Sequence, residues 1–441
     1  MPAIPPTATP QVTKPLIIVA ASGTGGDILP FITLSQELQK SGHRIMMLVP
    51  HLHKTLIASS GVPFQTFSTF DEWQALLDDP KLWDERKGWE VIWRGLVPHL
   101  GAVSHLVRQL QDNEDCVVLS HPILLPMSAL ARSVRPNLRI VAAYLAPSNL
   151  CSSHDMLAAG SLQIPAWMPI AWKQLLWKVI HKAWIDPVTL PSLNAVRSQH
   201  GLPAVAHFFE HMLTVPDASV GLFPSWYAAV QQDWPQPFYE GCFVRNSEPS
   251  QDKLSPELEH FLSDGTLPIV FTPGTGHRHA SSYFAAAAKV LKQLGRRGIF
   301  VTPHASQLPD SLAASIMWQA HVSFASLLPR VAAIVHHGGI GTIAEAFHAG
   351  IPQLIVPFAY DQFDNAQRAK RLGVADVLPA KLLSSTRMQK KLQNLLTSHE
   401  ISQSCSRIAQ KMPQEPGLPL LLDQIKAALF EGLEPVGKSE Q

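Results

Sequence analysis

The stretch PLIIVAASGTGGDILPFITLSQELQKSGHRIMMLVP at residues 15–50 decides the fold. It opens on an apolar run typical of a buried β-strand, passes through a glycine-rich turn into a segment with helical spacing, and closes on a second apolar run. A strand, a helix and a second strand in this order predict a βαβ unit, in which the two strands are parallel. The apolar runs at 116–120 and 139–147 extend the pattern, so we expect the first half of the chain to form a doubly wound parallel sheet.

A second alternation of apolar runs and helical stretches begins near residue 267 and predicts a second doubly wound α/β domain. A chain of 441 residues is also too long for one ordinary core, so two domains are expected. The polar, proline-containing stretch 245–256 is predicted to be the linker between them. The chain then begins with a disordered proline-rich tail (1–14) and an N-terminal domain (15–244). The linker (245–256) leads to a C-terminal domain (257–420), and a final helix with a tail (421–441) follows.

The composition describes a globular protein and excludes several functions. Hydrophobic residues make up 46% of the chain and charged residues 16%, and a net charge of +1 gives no general attraction for nucleic acid. The four cysteines lie far apart without a CxxC pair, which indicates reduced thiols and no cysteine zinc site. No apolar run reaches the ~20 residues of a membrane-spanning helix, and the start of the chain lacks the pattern of a signal peptide. We therefore predict a cytoplasmic protein.

Two glycine-rich turns follow predicted strands, SGTGGD at 22–27 and HHGGIGT at 336–342. Ligands of doubly wound sheets bind at the carboxyl ends of the strands, so we expect these turns to face each other across the cleft between the domains. The first turn has Ile28 where a dinucleotide fingerprint needs its third glycine, and neither turn is a Walker phosphate loop. In the second turn, a helix start at Gly341 or Thr342 can attract phosphate, although a plain turn capped by Thr342 has the same pattern.

The stretch 336–365 closely resembles the donor-binding signature of the UDP-dependent glycosyltransferases with the GT-B fold, in which two Rossmann-like domains face each other across a cleft. The residues that match at the family's spacing are His337, Gly339, Thr342, Glu345, Gly350, Pro352, Pro357, Asp361 and Gln362. The resemblance implies that the C-terminal domain binds a UDP- or dTDP-sugar and the N-terminal domain binds the acceptor. It also implies that the last helix crosses back to the first domain.

The resemblance gives the donor residues their roles. The second turn and its helix start hold the diphosphate, Glu345 accepts hydrogen bonds from the ribose hydroxyls, and Asp361 with Gln362 binds the sugar hydroxyls. The implied donor-binding residues are Gly274, Thr275, His337, Gly338, Gly339, Gly341, Thr342, Glu345, Asp361 and Gln362.

For several of these residues the sequence also allows a purely structural role. Glu345 can be an exposed helix residue, and Asp361 with Gln362 can form a turn before a helix that Asp364 caps. His336, which precedes the matched histidine, is predicted to pack at the end of a strand.

The first turn resembles the acceptor-domain start of sterol and antibiotic glycosyltransferases, and Asp27 is the candidate general base. It would take the proton of an acceptor hydroxyl as this hydroxyl attacks the anomeric carbon. Asp27 can instead cap the helix that follows it. Plant relatives pair their base with a residue after the strand that here reads VVLSH, so His121, or its neighbour Ser120, is the second catalytic candidate.

The chain lacks the Asp-x-Asp clamp of the other large glycosyltransferase class, which predicts a reaction without a metal ion. The charge on the leaving diphosphate would then be met by His337, as an imidazolium, and by the helix start. The HLH and HRH triplets lack zinc spacing, so no metal site is predicted. Where the family commonly has a Trp-Pro-Gln sequence that stacks on the base, this chain has His321 and residues 322–324, which leaves uridine and thymidine both open.

Other stretches resemble more narrowly the rhamnosyltransferases that build bacterial rhamnolipids, among them DPKLWDERKGWEVIW at 79–93 and LFPSWYAAVQQDWPQPFYEGCF at 222–243. This resemblance implies an acceptor with a hydroxyl and a long alkyl tail. The tryptophan-rich stretch 165–184 is predicted to form an amphipathic helix that places Trp167 and Trp172 at the acceptor or at a membrane surface. Ordinary packing of these tryptophans is the alternative.

Together these features predict an inverting, metal-independent hexosyltransferase with a nucleotide sugar as co-substrate and no other cofactor. It would move a hexose from a UDP- or dTDP-sugar to a lipidic or other apolar alcohol. Two alternatives remain open. A sugar-nucleotide 2-epimerase shares the two-domain plan and needs no acceptor, and a non-catalytic binding protein would tolerate an Asp27→Asn change.

Overall fold

The computed structural model describes residues 14–111, 114–245, 253–414 and 417–431. Nearly all of the predicted N-terminal tail, 1–13, and most of the predicted linker, 246–252, lie outside the described residues. None of the described helices is long and apolar enough to cross a membrane.

The first half of the chain forms a seven-stranded sheet and a separate two-stranded pair. Its strands are β1 (Leu16–Ala20), β2 (Arg44–Val49), β3 (Phe64–Thr66), β4 (Cys116–Ser120), β5 (Arg139–Tyr144), β6 (Ala158–Ala159), β7 (Leu162–Gln163), β8 (Ala218–Gly221) and β9 (Phe238–Tyr239). The sheet has the order β3-β2-β1-β4-β5-β8-β9 with every pairing parallel, while β6 and β7 form the antiparallel pair.

Helices and short turns connect these strands. The helices are α1 (Gly25–Lys40), α2 (Lys54–Ser60), α3 (Phe70–Asp78), α4 (Gly88–Leu96), α5 (Ala102–Gln109), α6 (Leu125–Leu130), α7 (Ile170–Ile180), α8 (Asp186–Gln199) and α9 (Phe208–Thr214). A π-helical turn, His181–Ile185, joins α7 to α8.

The second half forms a six-stranded sheet in which every pairing is again parallel. Its strands are β10 (Ile269–Thr272), β11 (Gly298–Val301), β12 (Ile316–Gln319), β13 (Ala333–His336), β14 (Gln353–Ile355) and β15 (Ala375–Val377). The order β12-β11-β10-β13-β14-β15 is that of a doubly wound sheet, so the predicted fold class of two Rossmann-like domains is confirmed.

The helices of the second half pack around this sheet and reach back to the first. They are α10 (Pro256–Ser263), α11 (Ser281–Leu294), α12 (Phe324–Leu327), α13 (Ile340–Ala349), α14 (Gln362–Arg371), α15 (Ser385–Thr397), α16 (His399–Lys411) and α17 (Leu418–Phe430). The last of them, α17, lies on the first sheet: the carbonyl of Ala428 accepts a hydrogen bond of 2.6 Å from Nε of Arg139, and Phe430 stacks on His43.

The first glycine turn is itself the start of a helix. The helix α1 begins within this turn, at Gly25. The cause is a capping box, in which Oδ2 of Asp27 accepts hydrogen bonds from the backbone N–H of Thr24 at 2.7 Å and from its Oγ1 at 3.1 Å. The first turn of α1 therefore lies directly after β1, at the carboxyl end of the sheet.

Candidate active site

A cavity of about 530 Å³ lies between the two domains, at the carboxyl ends of both sheets. Residues 22–27 line it from the N-terminal domain, and residues 339–342 line it from the C-terminal domain. A Cβ atom at Gly341 would lie 4.0 Å from the carbonyl oxygen of Gly26. The two glycine turns thus face each other, as predicted.

His337 lies directly after β13 and packs against two glycines. A Cβ atom at Gly274 would lie 2.9 Å from Cε1 and Nε2 of His337, and one at Gly339 would lie 2.4 Å from Nε2. Both positions therefore need glycine. Burial, and to a smaller extent His336, lowers the pKa of His337 to about 3, and its Nδ1 is buried without a hydrogen-bond partner among the described residues.

The low pKa describes the charge of this histidine before an anion binds. Before an anion binds, the ring of His337 is neutral near pH 7, and a neutral ring offers an anion one N–H donor. The N–H groups at the start of α13 are further donors at this end of the cavity.

His336 packs inside the C-terminal domain, in agreement with its predicted role. Its Nε2 lies 3.0 Å from Oε1 of Gln353, and its Nδ1 accepts a hydrogen bond of 3.2 Å from the backbone N–H of Gly338. Gly338, which we expected at the donor, does not line the cavity, whereas Gly339 and Gly341 do. Its φ of 96° is a backbone conformation that favours glycine, so its place in the turn explains this residue.

Thr342 and Glu345 line the cavity from the first turns of α13. The side chain of Glu345 is only 13% exposed, and its Oε2 lies 3.5 Å from Nη2 of Arg245. The alternative of an exposed helix residue therefore does not describe Glu345. Its carboxylate lies where hydroxyl groups of a bound ligand can reach it.

Asp361 and Gln362 line the same cavity at the start of α14. Oε1 of Gln362 accepts hydrogen bonds of 2.8 Å and 3.2 Å from the backbone N–H groups of Phe358 and Ala359, which closes the turn before the helix. The alternative cap, Asp364, instead pairs with Nε of Arg368 at 2.7 Å, so it does not cap the helix.

Two carboxylates of the cavity wall have raised pKa values. Burial, and to a smaller extent the charge of Asp27, raises the pKa of Asp361 to about 7. Burial also raises the pKa of Asp27, although the hydrogen bonds from Thr24 oppose this shift. Asp27 is thus both a capping residue and a residue of the cavity wall, so the two roles left open by the sequence are compatible.

His121 lines the cavity beside the turn after β4. Its Nδ1 accepts a hydrogen bond of 3.2 Å from the backbone N–H of Ile123, so the proton of the neutral ring lies on Nε2. Burial lowers the pKa of His121 to about 3. The alternative, Ser120, is fully buried and lies 2.9 Å from Oγ of Ser128, behind the wall.

An apolar chamber forms the N-terminal side of the cavity. Its wall comes from α3, α4, α9 and the turn before α4, and it includes Trp73, Leu76, Leu77, Leu82, Trp83, Trp89, Ile92, Leu96, Phe209 and Met212. The sequence pattern did not predict that these residues line a binding site. Their spacing is that of ordinary amphipathic helices, and only the stretch 79–93 was singled out by resemblance.

Trp167 and Trp172, which we expected at the acceptor, do not line this chamber. Their side chains are 77% and 64% exposed, while the neighbouring Lys173 is only 6% exposed. The helix α7 and the turn before it therefore expose both tryptophans, and the chamber wall is formed by α3, α4 and α9 instead.

Three contacts between the domains close the cleft beside Asp361. The ring of Trp83 stacks on His277 with 5.1 Å between the ring centroids. Oδ1 of Asp78 lies 2.6 Å from Nη1 of Arg278, and the hydroxyl of Tyr360 donates to the carbonyl of Leu82. The turn before α4 thus joins the wall of the apolar chamber to the turn that carries Asp361.

The remaining wall belongs to the C-terminal domain. Gly274 and Thr275 line it after β10, and residues 320–325 line it after β12. Trp318 lies outside: its Nε1 donates to the carbonyl of Thr302 at 2.9 Å. Apolar contacts to a base would come from Val322 and Phe324. Within the described residues, no three His, Cys, Asp or Glu side chains are grouped to hold a metal ion.

The fold and this cavity define the class of the protein. Two facing Rossmann-like domains with both glycine turns on one cleft are the architecture of the GT-B enzymes. Two family models match the chain. Residues 17–100 match the glycosyltransferase family 28 N-terminal domain, and residues 289–425 match the erythromycin biosynthesis protein CIII-like C-terminal domain. These matches and the two facing domains identify the chain as a glycosyltransferase enzyme with the GT-B architecture.

Known relatives agree with this assignment. The O-mycaminosyltylonolide 6-deoxyallosyltransferase of Streptomyces fradiae is 25% identical over 91% of this chain and 94% of its own length. The crystal structure of the calicheamicin glycosyltransferase CalG4 has a TM-score of 0.68 at 18% identity and covers 96% of this chain and 100% of its own. A spinosyn rhamnosyltransferase solved with thymidine diphosphate has a TM-score of 0.63 at 16% identity, and covers 94% of this chain and 100% of its own. The narrower resemblance to rhamnolipid rhamnosyltransferases stays a prediction.

Proposed function

We propose that this glycosyltransferase moves a hexose from a dTDP- or UDP-sugar to a hydroxyl of a lipidic or other apolar acceptor, with inversion and without a metal ion. The observation that carries the proposal is one cavity with two chemically different sides. On one side lie the α13 start, Glu345 and Asp361, which suit a diphosphate and hydroxyl groups. On the other side lies the apolar chamber, with Asp27 on the wall.

The donor would lie along the C-terminal wall. The N–H groups at the start of α13 and the neutral ring of His337 donate to the diphosphate. Glu345 accepts from the ribose, and Asp361 with Gln362 takes the hydroxyls of the hexose. A relative solved with thymidine diphosphate supports a dTDP-sugar. The wall at 320–325, which would contact the base, does not distinguish thymidine from uridine, so a UDP-sugar is the second candidate.

Asp27 would act as the general base. Both hydrogen bonds from Thr24 fall on Oδ2, which leaves Oδ1 to accept a proton from the acceptor hydroxyl. An alcohol is far less acidic than a carboxylic acid, so the proton moves as the acceptor oxygen attacks the anomeric carbon. The bond to the diphosphate breaks on the opposite face, which inverts the configuration. His121 lies on the acceptor side and would help to position the hydroxyl through Nε2–H.

The apolar chamber favours a transferase over a 2-epimerase, because an epimerase has no acceptor to hold. The test is product analysis with dTDP-rhamnose, dTDP-glucose and UDP-glucose against 3-hydroxy fatty acids and apolar polyketide aglycones in the presence of chelator. We expect a glycoside of inverted anomeric configuration and an equal amount of nucleoside diphosphate. A free sugar epimer without glycoside would favour the epimerase, and a retained configuration would contradict the single displacement.

We also propose that the protein works in the cytoplasm and touches the membrane through an exposed tryptophan patch. The patch consists of Leu162, Trp167, Ile170, Trp172, Leu175, Val179 and Trp184. Exposed lysines at 178 and 182 accompany it, and such a surface of tryptophans and lysines suits an anionic lipid interface. Co-sedimentation with vesicles containing anionic lipid tests this contact. We expect a Trp167→Ser/Trp172→Ser variant to lose binding, and equal binding by both proteins would refute it.

A further inference from the structure

The amide of Asn365 links the second glycine turn to Asp361. Asn365 is fully buried on the first turn of α14. Its Nδ2 donates a hydrogen bond of 2.7 Å to Oδ2 of Asp361 and one of 3.1 Å to the carbonyl oxygen of Gly338. One side chain thus holds both a carboxylate of the cavity wall and the backbone behind His337.

The orientation of this amide is fixed by its partners. A carbonyl oxygen and a carboxylate only accept hydrogen bonds, so the NH₂ group of Asn365 must face Gly338 and Asp361. Its Oδ1 then faces the hydroxyl of Tyr227, which donates to it at 3.2 Å. Without this donor, the buried Oδ1 would lose this hydrogen bond, and only the two hydrogen bonds of Nδ2 would hold the amide against Gly338 and Asp361.

Tyr227 belongs to the N-terminal domain, 138 residues from Asn365 along the chain. Its ring is buried against Phe243 and Phe347, at 5.2 Å and 6.1 Å between ring centroids. A second link holds the same helix, because Arg368 of α14 pairs with Asp155 of the N-terminal domain at 2.6 Å. The helix that begins beside Asp361 is therefore anchored to the opposite domain.

We propose that Asn365 is a positioning residue that orients Asp361 toward the donor sugar, and that Tyr227 holds the Asn365 amide in that orientation from the acceptor domain. The donor-sugar site is then complete only when the two domains are docked. This inference rests on the proposed role of Asp361 in binding the donor sugar.

The test distinguishes an effect on binding of the donor sugar from an effect on binding of the nucleotide. Tyr227→Phe removes the hydroxyl and keeps the ring in its aromatic contacts. Calorimetry then measures the dissociation constants of dTDP, UDP, dTDP-glucose and UDP-glucose for the wild type and the variant. We expect the variant to bind the nucleotide sugar about 3- to 10-fold more weakly, which is the usual effect of one lost hydrogen bond, and to bind the free nucleotide unchanged.

Tyr239→Phe is the matched control. The hydroxyl of Tyr239 joins the first sheet to the end of α17, since it donates to Oε2 of Glu431 at 2.6 Å, but Tyr239 does not line the cavity. The proposal is overturned if Tyr227→Phe leaves nucleotide-sugar binding unchanged, if it weakens free nucleotide equally, or if Tyr239→Phe has the same effect. Failure of the wild type to bind any of the four ligands would instead refute the proposed function.

Discussion

Replacing Asp27 by asparagine tests the proposed base with little change in shape. The carbonyl oxygen of the new amide can accept the same two hydrogen bonds that Oδ2 of Asp27 accepts from Thr24, so the start of α1 should stay intact. The variant loses only the ability to take a proton. Because a positioned general base typically contributes about 100- to 10,000-fold, we expect kcat to fall by at least about 100-fold. That loss corresponds to about 3 kcal/mol or more of transition-state stabilisation.

Nucleotide binding should respond differently in the same variant. The substitution removes a negative charge that faces Asp361 across the cavity, and this charge is one cause of the raised pKa of Asp361. The dissociation constant of the nucleoside diphosphate should therefore stay equal or decrease. Initial-rate kinetics and calorimetric titration on the same protein preparation measure the two effects separately.

Glu72 offers a matched control for Asp27. It holds the same place in the capping box of α3, where its Oε2 accepts from the N–H of Thr69 at 2.7 Å and from Oγ1 at 2.9 Å. Glu72→Gln should keep full activity because this carboxylate lies outside the cavity. Activity of Asp27→Asn within tenfold of the wild type would refute the base, and equal losses in both variants would show a defect of folding instead.

Four further outcomes are expected. Gly339→Ala should raise the donor KM at least tenfold, because the new Cβ would lie 2.4 Å from Nε2 of His337. An unchanged donor KM in initial-rate kinetics would show that the diphosphate does not bind at this turn. The donor KM should rise as the pH falls below about 7, since Asp361 must be charged to accept from two sugar hydroxyls and its pKa is raised to about 7; a flat profile from pH 6 to 8 would contradict this. Ile92→Trp should fill part of the apolar chamber and raise the acceptor KM without changing the donor KM, and equal changes in both would place this wall elsewhere. Prior treatment with EDTA should leave the rate intact, and inhibition that magnesium reverses would contradict the metal-free mechanism.

The sequence predicted the parts of the site that are close together along the chain. The strand β13, the glycine turn, Thr342 and Glu345 follow one another within a single βα unit, so their joint position at one cleft follows from local structure. The same holds for the turn after β1. Each turn follows the carboxyl end of a strand in its own sheet, which is the edge where doubly wound sheets bind ligands, so both turns are expected at the cleft between the domains.

The apolar chamber could not be predicted in the same way. Its wall combines α3 and α4 with Phe209 and Met212 of α9, and each of these helices has an ordinary apolar face. Which faces surround a cavity depends on how the helices pack against one another. The outward position of Trp172 has the same origin, because composition does not decide which side of α7 faces the core.

The protonation state of His337 also required the structure. A histidine beside a glycine turn suggests a cation for phosphate, but desolvation of the half-buried ring and the neighbouring His336 lower the pKa of His337 to about 3 before an anion binds. The link between Tyr227 and Asn365 joins residues 138 positions apart, and no local pattern connects them.

Calorimetric titration with dTDP and UDP in the presence of EDTA tests most directly whether the turn 336–342 binds the diphosphate of a nucleotide sugar. The wild type should bind one of the two nucleotides in the micromolar range, and His337→Ala should bind it at least tenfold more weakly because the buried ring no longer donates to the phosphate. Absence of binding by both nucleotides, or equal binding by the wild type and His337→Ala, would contradict the account.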